Sequence, residues 1–379
     1  MQNTSNKKKI LILSANIYDT TSPRTMRTIE LTTELIKQGH SVVLYSATEN
    51  KSKNQAIQKS DNLSLKSYSS CNTKFSRSSV PFIRLLLNIV NRILDYLFLY
   101  PSIQYFIKVR KALKQEIGKQ YDLLISVAVP HPIHWGCACV INQKTKPLLC
   151  NKWVADCGDP FMGSQTETIS HPFYFKYIEK WSFRKADYIS IPMATAKTGY
   201  FPEFWEKLVI IPQGVDFAKI KIYEKPIQND VITFIYAGGF LANKREPAPF
   251  LQYIENQQYN FKFIVYTKCG GSNYFDHISS ALRQKIEIHD YIKREELIYQ
   301  MSKVDFLLNL ENGTSVQMPS KLIDYALSMR PILSIDANNL NTKLIDEFFE
   351  RNYTHQYNVE NIAQYNIENV TKAFLSLCE

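Results

Sequence analysis

Apolar positions along the first fifty residues follow two periods, one typical of buried strands and one typical of amphipathic helices. KKKILILSAN contains a continuous apolar run, which predicts a fully buried parallel strand. In TMRTIELTTELIKQGH the apolar residues recur at helical spacing, and Gly39 stands where a helix requires a left-handed cap. SVVLYSA predicts the next strand. Strand, helix, glycine and strand together predict a right-handed βαβ unit.

The same alternation continues through the first half after a polar interval. Residues 50–80 are rich in Ser, Lys and Asn and are predicted to form a mobile loop. Residues 81–118 predict two amphipathic helices parted at Pro101. Further strands and helices are predicted in order at YDLLISVAV, HWGCACVIN, PLLCNKWVADCGDPF, FYFKYIEKWSFRKA, DYISIPM and KLVIIPQGVDF.

The second half begins the pattern again. VITFIYAGGF is a strand that enters a Gly-Gly turn, and PAPFLQYIENQ is a helix with proline in its first turn. Strands follow at FKFIVYTK, KIEIHDYI, VDFLLNLEN and PILSIDA, and helices at REELIYQMSK and SKLIDYALSM. We predict an α/β protein with two Rossmann-like, doubly wound domains that face each other across a cleft. The domains are predicted over 1–222 and 223–360, with a helix in 361–379 that packs back on the first domain.

Charge separates the two halves. The 379 residues carry a net charge of +10, and 45% of them are hydrophobic, as expected of a globular chain. Residues 1–222 hold 30 Lys and Arg against 16 Asp and Glu, a net +14, which leaves a net −4 for the rest. The basic half is expected to face an anionic partner such as a membrane surface or a lipid phosphate. Nucleic acid is not expected, because no recognised binding module is present.

The helix near residue 81 and the cysteine pattern both indicate where in the cell the protein is expected to lie. The predicted helix that begins near residue 81 packs against a core or lies in a membrane interface, and both interpretations fit its pattern. Charges at Arg84, Arg92 and Asp95 interrupt it, so it does not predict a membrane span. Seven cysteines without paired C-x-x-C spacing predict neither a disulfide framework nor a zinc site. We therefore expect a cytoplasmic protein, peripheral on the inner face of the cell membrane.

The Gly-Gly turn is the first candidate for chemistry. Gly238 and Gly239 end a strand, and Lys244 and Arg245 follow. Glycines let backbone N–H groups approach a phosphate closely, and two cations neutralise it. The alternative is an ordinary turn followed by a solvated basic pair.

The stretch MPSKLIDYALSMRPILSI is the second candidate. Proline near the first helical position leaves the N–H groups around Ser320 and Lys321 directed outward from the positive end of a helix, which favours an anion. Asp324 lies one turn deeper and can accept hydrogen bonds from ribose hydroxyls. The alternative is a helix with a solvated Lys and Asp on its exposed face.

The first half offers weaker candidates. His134 follows the strand YDLLISVAV after a short loop, and a histidine there can act as a general base or hold a substrate hydroxyl. His131 competes for that role. Asp156 and Asp159 follow a strand and can bind acceptor hydroxyls or form an Asx turn before Pro160.

The order and spacing of these segments resemble the GT-B fold glycosyltransferases, and among them most closely the family 4 retaining transferases. The matching segments are RTMRTIELTTELIKQGHSVVLYS, QYDLLISVAVPHPIHWG, NKWVADCGDPF, KADYIS, LVIIPQGVDF, IYAGGFLANKREPAPFL and SVQMPSKLIDYALSMRPILSI. The resemblance covers the chain except for residues 50–80 and the tail. IPQGVD stands for the IPNGVD of that family, with Gln213 in place of Asn.

The resemblance implies a donor site for a nucleotide-sugar in the second half. Lys244, Arg245 and Lys321 fall on the cations that grip the donor diphosphate. Asp324 takes the place of the Glu that binds the ribose. The remaining donor-binding candidates are Gly238, Gly239, Tyr291, Ile292, Ser320, Glu311 and Val316, of which Tyr291 and Ile292 match the nucleobase contacts.

In the first half the resemblance implies contacts with the donor sugar and the acceptor. His134 falls near the histidine that touches the donor sugar. The predicted catalytic residues are therefore His134 and the three cations Lys244, Arg245 and Lys321. Asp156 and Asp159 match an acidic pair at the acceptor pocket. Asn16, Arg24 and Arg27 complete the candidates for acceptor binding. Neither a metal nor a cofactor is expected, because such cation clamps replace a metal and no D-x-D motif occurs.

One position departs from the family pattern. Val316 stands where the first acid of the paired-glutamate motif belongs, so a sugar contact must come from Glu311, Asn312 or the backbone.

The predicted function is transfer of a sugar to a saccharide or lipid-linked acceptor in the synthesis of bacterial surface polysaccharide. Two alternatives stay open: a degenerate copy that binds nucleotide-sugar or a partner transferase, and an epimerase or hydrolase on the same fold.

Overall fold

The computed structural model describes residues 7–18, 22–47, 57, 60–68, 81–164, 170–225, 227, 229–240, 245–257, 259–268, 271–311 and 321–379. The chain divides into two compact units. The first comprises Met1–Val215 together with Tyr365–Glu379, and the second comprises Asp216–Gln364. Each unit is built on one parallel sheet with helices between its strands, so the predicted α/β class with two Rossmann-like domains is confirmed.

The sheet of the first unit has seven described strands in the order β3-β2-β1-β4-β5-β6-β7. They are β1 Lys9–Leu13, β2 Ser41–Ala47, β3 Leu63–Tyr68, β4 Tyr121–Val127, β5 Cys150–Asp156, β6 Tyr188–Ile191 and β7 Leu208–Ile210. All neighbouring pairs are parallel, and Ile10 of β1 lies opposite Val42 and Leu123. The apolar runs fill the interior because both faces of the sheet are covered.

Helices connect these strands. They are α1 Pro23–Lys37, α2 Pro81–Phe98, α3 Gln104–Glu116, α4 Pro132–Val140, α5 Lys146–Leu149 and α6 Phe175–Lys185. Pro23 occupies the first turn of α1, where the missing N–H costs little. Gly39 after α1 has a φ of 88°, as the predicted left-handed cap requires.

The second unit has a five-stranded parallel sheet among the described residues, in the order β10-β9-β8-β11-β12. Its strands are β8 Ile232–Ala237, β9 Phe261–Tyr266, β10 Ile286–His289, β11 Phe306–Leu310 and β12 Ile332–Ile335. Its helices are α7 Ala248–Asn256, α8 Ser280–Arg283, α9 Arg294–Met301, α10 Lys321–Leu327 and α11 Thr342–Phe349. In its core Phe234 stacks on Phe263 and Phe306, with ring centroids 4.5 and 4.8 Å apart.

The last helix, α12 (Ile367–Ser376), belongs to the first unit although the second unit precedes it in sequence. A backbone bridge joins Val215 to Asn366, where the chain re-enters the first unit. Phe374 is fully buried in a cluster that includes Leu35 of α1 and Ile12 of β1. The first unit is therefore closed by the carboxyl-terminal segment of the chain.

Two secondary-structure predictions were wrong. Residues 60–68 contain β3, which pairs with β2 along six residue pairs, whereas the sequence favoured a mobile loop over 50–80. Polar residues dominate this stretch because β3 is an edge strand with one solvated face. The strand predicted at PLLCNKWVADCGDPF begins only at Cys150, because Lys146–Leu149 form the short helix α5. Helices α8 and α11 were not predicted, and α8 is only four residues long. Within the described part of the chain, no helix combines the length and apolarity needed to cross a bilayer.

Truncation of Phe374 to Ala should lower the free energy of unfolding of the first unit by about 3–5 kcal/mol, because a buried aromatic ring leaves a cavity. Urea unfolding, followed by circular dichroism, measures the change. Lys372→Ala, on the exposed side of α12, serves as the control and should change stability by less than about 0.5 kcal/mol. Equal effects of the two substitutions would contradict the position of α12 in the core.

Candidate functional site

The carboxyl ends of the second sheet collect most of the described donor-binding candidates. Gly238 and Gly239 follow β8, Tyr291 and Ile292 follow β10, and Glu311 follows β11. Because the strands are parallel, these ends share one edge of the sheet, where ligands of doubly wound folds bind. The topology therefore brings residues from three distant sequence segments to one edge.

Gly238 is a position that requires glycine. Its φ of 139° is unfavourable for residues with a Cβ, and its N–H donates to the Tyr266 carbonyl at 2.9 Å. A Cβ at this position would lie 3.7 Å from Cδ of Lys321. The turn is closed by the Tyr236 hydroxyl, which donates to the Gly239 carbonyl at 3.0 Å. The backbone at the end of β8 thus lies directly beside the Lys321 side chain.

Lys321 and Arg245 carry buried donor atoms that lack an acceptor. The Lys321 Nζ and the Arg245 Nε are inaccessible to solvent and have no hydrogen-bond partner among the residues that the structure describes. Lys321 Nζ lies over the Tyr236 ring, 4.6 Å from its centroid. Burial and the neighbouring Arg245 charge lower the pKa of Lys321 to about 7. Two neighbouring cations, each with a donor atom left without an acceptor by the described residues, form a site whose electrostatics favour an anion.

Tyr325 holds α10 against the sheet. Its hydroxyl accepts a hydrogen bond from the Ala237 N–H at 2.9 Å and donates to the Leu308 carbonyl at 3.0 Å. One phenol therefore joins the end of β8 and the middle of β11 to the helix that carries Lys321. The sequence did not predict this role, although a Tyr among the buried positions of an amphipathic helix indicates a polar tip that needs a partner.

Asp324 forms an ion pair that the sequence did not predict. Arg294, the first residue of α9, donates from Nε to Oδ1 of Asp324 at 2.7 Å and also contacts it through its terminal nitrogen. Burial raises the pKa of Asp324, while the Arg294 charge acts in the opposite direction. The Asp324 side chain keeps 17% of its surface exposed. Arg294 is thus a second basic group close to the helix that bears Lys321.

The other described candidates of this unit differ in exposure. Tyr291 is 51% exposed, so its ring offers a free face, while Ile292 packs against a core cluster that includes Tyr266. Glu311 is exposed and accepts a hydrogen bond from Ser334 Oγ at 2.9 Å. Lys244, Ser320, Val316 and Asn312 lie outside the described residues.

In the first unit, Asp156 lies in the interior with both carboxylate oxygens engaged. Arg27 donates to each of them at 2.7 Å, Ser190 donates to Oδ1 at 2.6 Å, and Arg24 pairs with Oδ2. These cations hold the pKa of Asp156 well below its usual range although burial opposes them. Asp156 has no exposed surface.

This network gives three of the acceptor candidates partners inside the first unit. The Asp156 carboxylate has no exposed oxygen for a sugar hydroxyl. Arg27 also donates hydrogen bonds to the carbonyls of Ile211 and Pro212. Arg24 also donates to the Ala128 carbonyl. The network ties α1 to the ends of β4 and β5 and to the segment after β7. We therefore assign Asp156, Arg24 and Arg27 to the framework of the first unit.

His134 is also interior. Only 1% of its surface is exposed, its Nδ1 lies 2.7 Å from Ser126 Oγ, and its Nε2 lies 3.5 Å from Cys157 Sγ. Burial lowers the pKa of His134 to about 3, so the ring is neutral near pH 7. Both ring nitrogens therefore have partners inside the unit, and the expected contact with a donor sugar stays a prediction. His131 is 8% exposed and packs on Phe161.

Asp159 and Asn16 are the acceptor candidates that reach the surface. Asp159 is exposed, three residues beyond the buried Asp156. Asn16 is half-buried, and its Oδ1 accepts the Tyr18 N–H at 2.7 Å. Within the described ranges, no three His, Cys, Asp or Glu side chains cluster in a way that could hold a metal ion. Five of the seven cysteines are described, and these are free thiols.

Comparison with solved structures identifies the fold. No protein-family model and no curated protein sequence matches the chain. A lipopolysaccharide outer core galactosyltransferase, WaaB, aligns with a TM-score of 0.60 at 10% identity, covering 97% of this chain and 98% of its own. Anabaena HepE in complex with UDP-glucose aligns with a TM-score of 0.61 at 10% identity, covering 98% and 99%.

A third structure agrees with these two. A mutant of S. aureus TarM in complex with fondaparinux, alpha-GlcNAc-glycerol and UDP aligns with a TM-score of 0.58 at 10% identity, covering 98% of this chain and all of its own. The chain therefore has the GT-B fold of these glycosyltransferases, as the resemblance in sequence implied.

Asp156→Asn should lower the free energy of unfolding by about 3–5 kcal/mol, because two buried guanidinium groups lose their counter-charge. Urea unfolding near pH 7 measures the loss. Asp159→Asn makes the same chemical change on the surface of the same segment and should cost less than about 0.5 kcal/mol. An unchanged stability of Asp156→Asn, with loss of acceptor binding instead, would contradict the framework role.

Proposed function

We propose that the chain is a glycosyltransferase that moves a sugar from a nucleotide-sugar donor to a saccharide or lipid-linked acceptor. The observation that carries the proposal is the pair of buried donors, Lys321 Nζ and Arg245 Nε, which have no acceptor among the described residues. A structural role would require each buried cation to be paired, as Arg27 is in the first unit. A ligand anion supplies the missing acceptors.

The anion that suits this site is a diphosphate. Arg245 presents a planar guanidinium that can bind two phosphate oxygens, and Lys321 adds a compact charge. When the bond between sugar and diphosphate breaks, negative charge grows on the leaving diphosphate oxygen. Fixed cations stabilise that charge more than the charge of the intact donor, because they need no rearrangement in a site shielded from water. We propose that this clamp operates without a metal ion.

The nucleoside would lie along the same edge of the sheet. The exposed Tyr291 ring after β10 offers a face for stacking against a base. Asp324 is oriented by Arg294, and its partly exposed carboxylate can accept hydrogen bonds from ribose hydroxyls. Arg294 acts as a positioning residue, because it contacts Asp324 and fixes the direction of its oxygens.

Similarity in fold supports this class of donor. WaaB is described as a galactosyltransferase, and the HepE structures hold UDP-glucose, UDP with glucose, or UDP. We therefore propose a UDP-hexose as the first donor to test. The resemblance to family 4 enzymes further suggests retention of the anomeric configuration and a role in surface polysaccharide synthesis. Val316 in place of the family acid favours the alternative of a protein that binds the donor without transferring it.

A donor screen tests the proposal. Thermal unfolding of the full chain is followed with UDP-, GDP- and ADP-sugars, and one donor class is expected to raise the melting temperature. The stabilising donor is then incubated with saccharide and lipid-linked acceptors, and NMR of the product gives the anomeric configuration. Stabilisation without any product would identify the binding protein, product formed without an acceptor would identify the epimerase or hydrolase, and no stabilisation by any donor would refute the proposal.

Lys321→Met should weaken donor binding by about 10- to 100-fold, because one charge-assisted contact with the diphosphate is lost. The ligand-free variant should be as stable as the wild type or more so, since the substitution removes a buried cation for which the described ranges offer no acceptor. Calorimetric titration and thermal unfolding measure the two effects. Lys262→Met, in an exposed ion pair with Glu287 near the amino end of β9, is the matched control and should bind normally. A destabilised Lys321→Met variant with unchanged donor affinity would mean a structural lysine.

Donor affinity should fall as the pH rises above about 7. Lys321 has a pKa of about 7 without ligand, so it loses its proton above that pH. A bound diphosphate raises the pKa of the lysine, so binding takes up a proton and weakens by up to about tenfold per pH unit. Titrations with a UDP-sugar in buffers of different ionisation enthalpy measure this uptake, since its diphosphate does not titrate there. A flat profile in the wild type would contradict the contact, whereas Lys321→Met should lose this dependence.

A further inference from the structure

The helix α2 exposes an apolar face that the described residues of the first unit leave uncovered. Its buried residue is Asn91, whereas eight of its large apolar side chains are exposed. Phe82 is 75% exposed, Leu85 59% and Ile93 51%. This distribution is the reverse of a core-packing helix, the first of the two interpretations that the sequence allowed. A continuous exposed apolar surface marks a site of interaction.

An apolar pocket of about 450 Å³ adjoins the end of this helix. The last turn of α2, the start of α3, α4 and α6 form its walls, with Phe98, Phe106, Trp135, Tyr177 and Trp181 among the lining side chains. The hydroxyl of Tyr174, which also lines it, is satisfied by the Leu97 carbonyl. The volume lies within the range of ligand pockets, ~300–1,000 Å³. The ligand that such walls accept is a hydrocarbon.

Exposed cations lie on α3, the helix that follows α2, and a cation and an aromatic ring lie together at the pocket. On α3 the outward stripe consists of Ile107, 65% exposed, followed by the exposed Arg110, Lys111 and Lys114. At the pocket, Lys176 Nζ lies 4.9 Å from the centroid of the Tyr177 ring, and the ring is 59% exposed. Tyr and Trp rings with long cationic side chains beside them are typical of the boundary between hydrocarbon and headgroups.

We propose that the outer face of α2 and the adjoining pocket form a docking surface for an anionic phospholipid bilayer, one hydrocarbon chain of which occupies the pocket. The exposed apolar side chains would enter the acyl region, and the cations of α3 would lie at the phosphates. A protein partner would not require this combination of a hydrocarbon pocket with a basic stripe. The net charge of +14 over residues 1–222 also favours binding to an anionic bilayer.

Vesicle flotation tests the surface. The full chain should bind vesicles that contain phosphatidylglycerol, bind phosphatidylcholine vesicles weakly, and lose affinity as salt is raised. Leu86→Glu with Ile89→Glu should weaken binding about tenfold or more, because two exposed apolar side chains of α2 become anionic. Ile210→Glu, on β7 and 52% exposed, makes the same change outside this face and should bind normally.

Tryptophan fluorescence tests the pocket. Trp135 and Trp181 line it, whereas Trp153 is fully buried elsewhere and Trp205 lies outside the lining. Phosphatidylglycerol with brominated acyl chains should quench the wild type, and Trp135→Phe with Trp181→Phe should remove that quenching. Trp205→Phe, at a similarly exposed tryptophan, should retain it. Because Trp135 is buried, Trp181→Phe alone gives a milder variant, in which partial loss is expected.

The proposal fails if the wild type does not bind anionic vesicles at low salt, or if the glutamate variants bind as the wild type does. Binding with quenching that persists after removal of both lining tryptophans would refute occupation of the pocket. A wild-type dimer that the glutamate variants dissociate, without vesicle binding, would assign the face to a second copy of the chain. Vesicle binding needs no nucleotide-sugar, so its outcome is separate from that of the donor screen.

Discussion

The constraint that matters most in the second unit is a pair of neighbouring cations, each with a buried donor atom that has no acceptor in the described part of the chain. Lys321 and Arg245 could be solvated or paired in a chain selected only for stability, yet Lys321 Nζ and Arg245 Nε are buried and find no acceptor there. Burial of an unpaired charge destabilises a protein, and the low pKa of Lys321 expresses that cost. Such a cost is typical of binding sites, where the ligand completes the pairing.

The framework around these cations explains how they stay in place. The parallel strands bring Gly238 to the edge of the sheet, and Tyr325 fixes α10 to β8 and β11 through hydrogen bonds to Ala237 and Leu308. Rigid strands and a packed helix therefore position the charges, so little reorganisation is needed when an anion binds. The Arg294–Asp324 pair extends this preformed arrangement along the same helix.

In the first unit, by contrast, the buried charge of Asp156 is paired within the protein. Asp156 has two arginines and a serine as partners, so its network is complete without a ligand. Both clusters contain the same types of charged side chain, so they differ in whether the described residues supply partners and not in residue type. The basic and apolar surface of this unit, on α2 and α3, is a separate feature that points outward.

The sequence by itself determined the α/β class, the two Rossmann-like sheets and most strands, because buried parallel strands require continuous apolar runs. Lys321, Arg245 and Gly238 were predicted, through the resemblance, to belong to one donor site, and this stays a prediction. Only the tertiary structure decided that β3 pairs at the edge, that Asp156 and His134 are interior, and that Arg294 meets Asp324. Those outcomes depend on burial and on partners far away in the chain, such as Arg27 and Asp156, 129 residues apart. The local pattern of apolar and polar residues carries no information about burial or about partners that are distant in sequence.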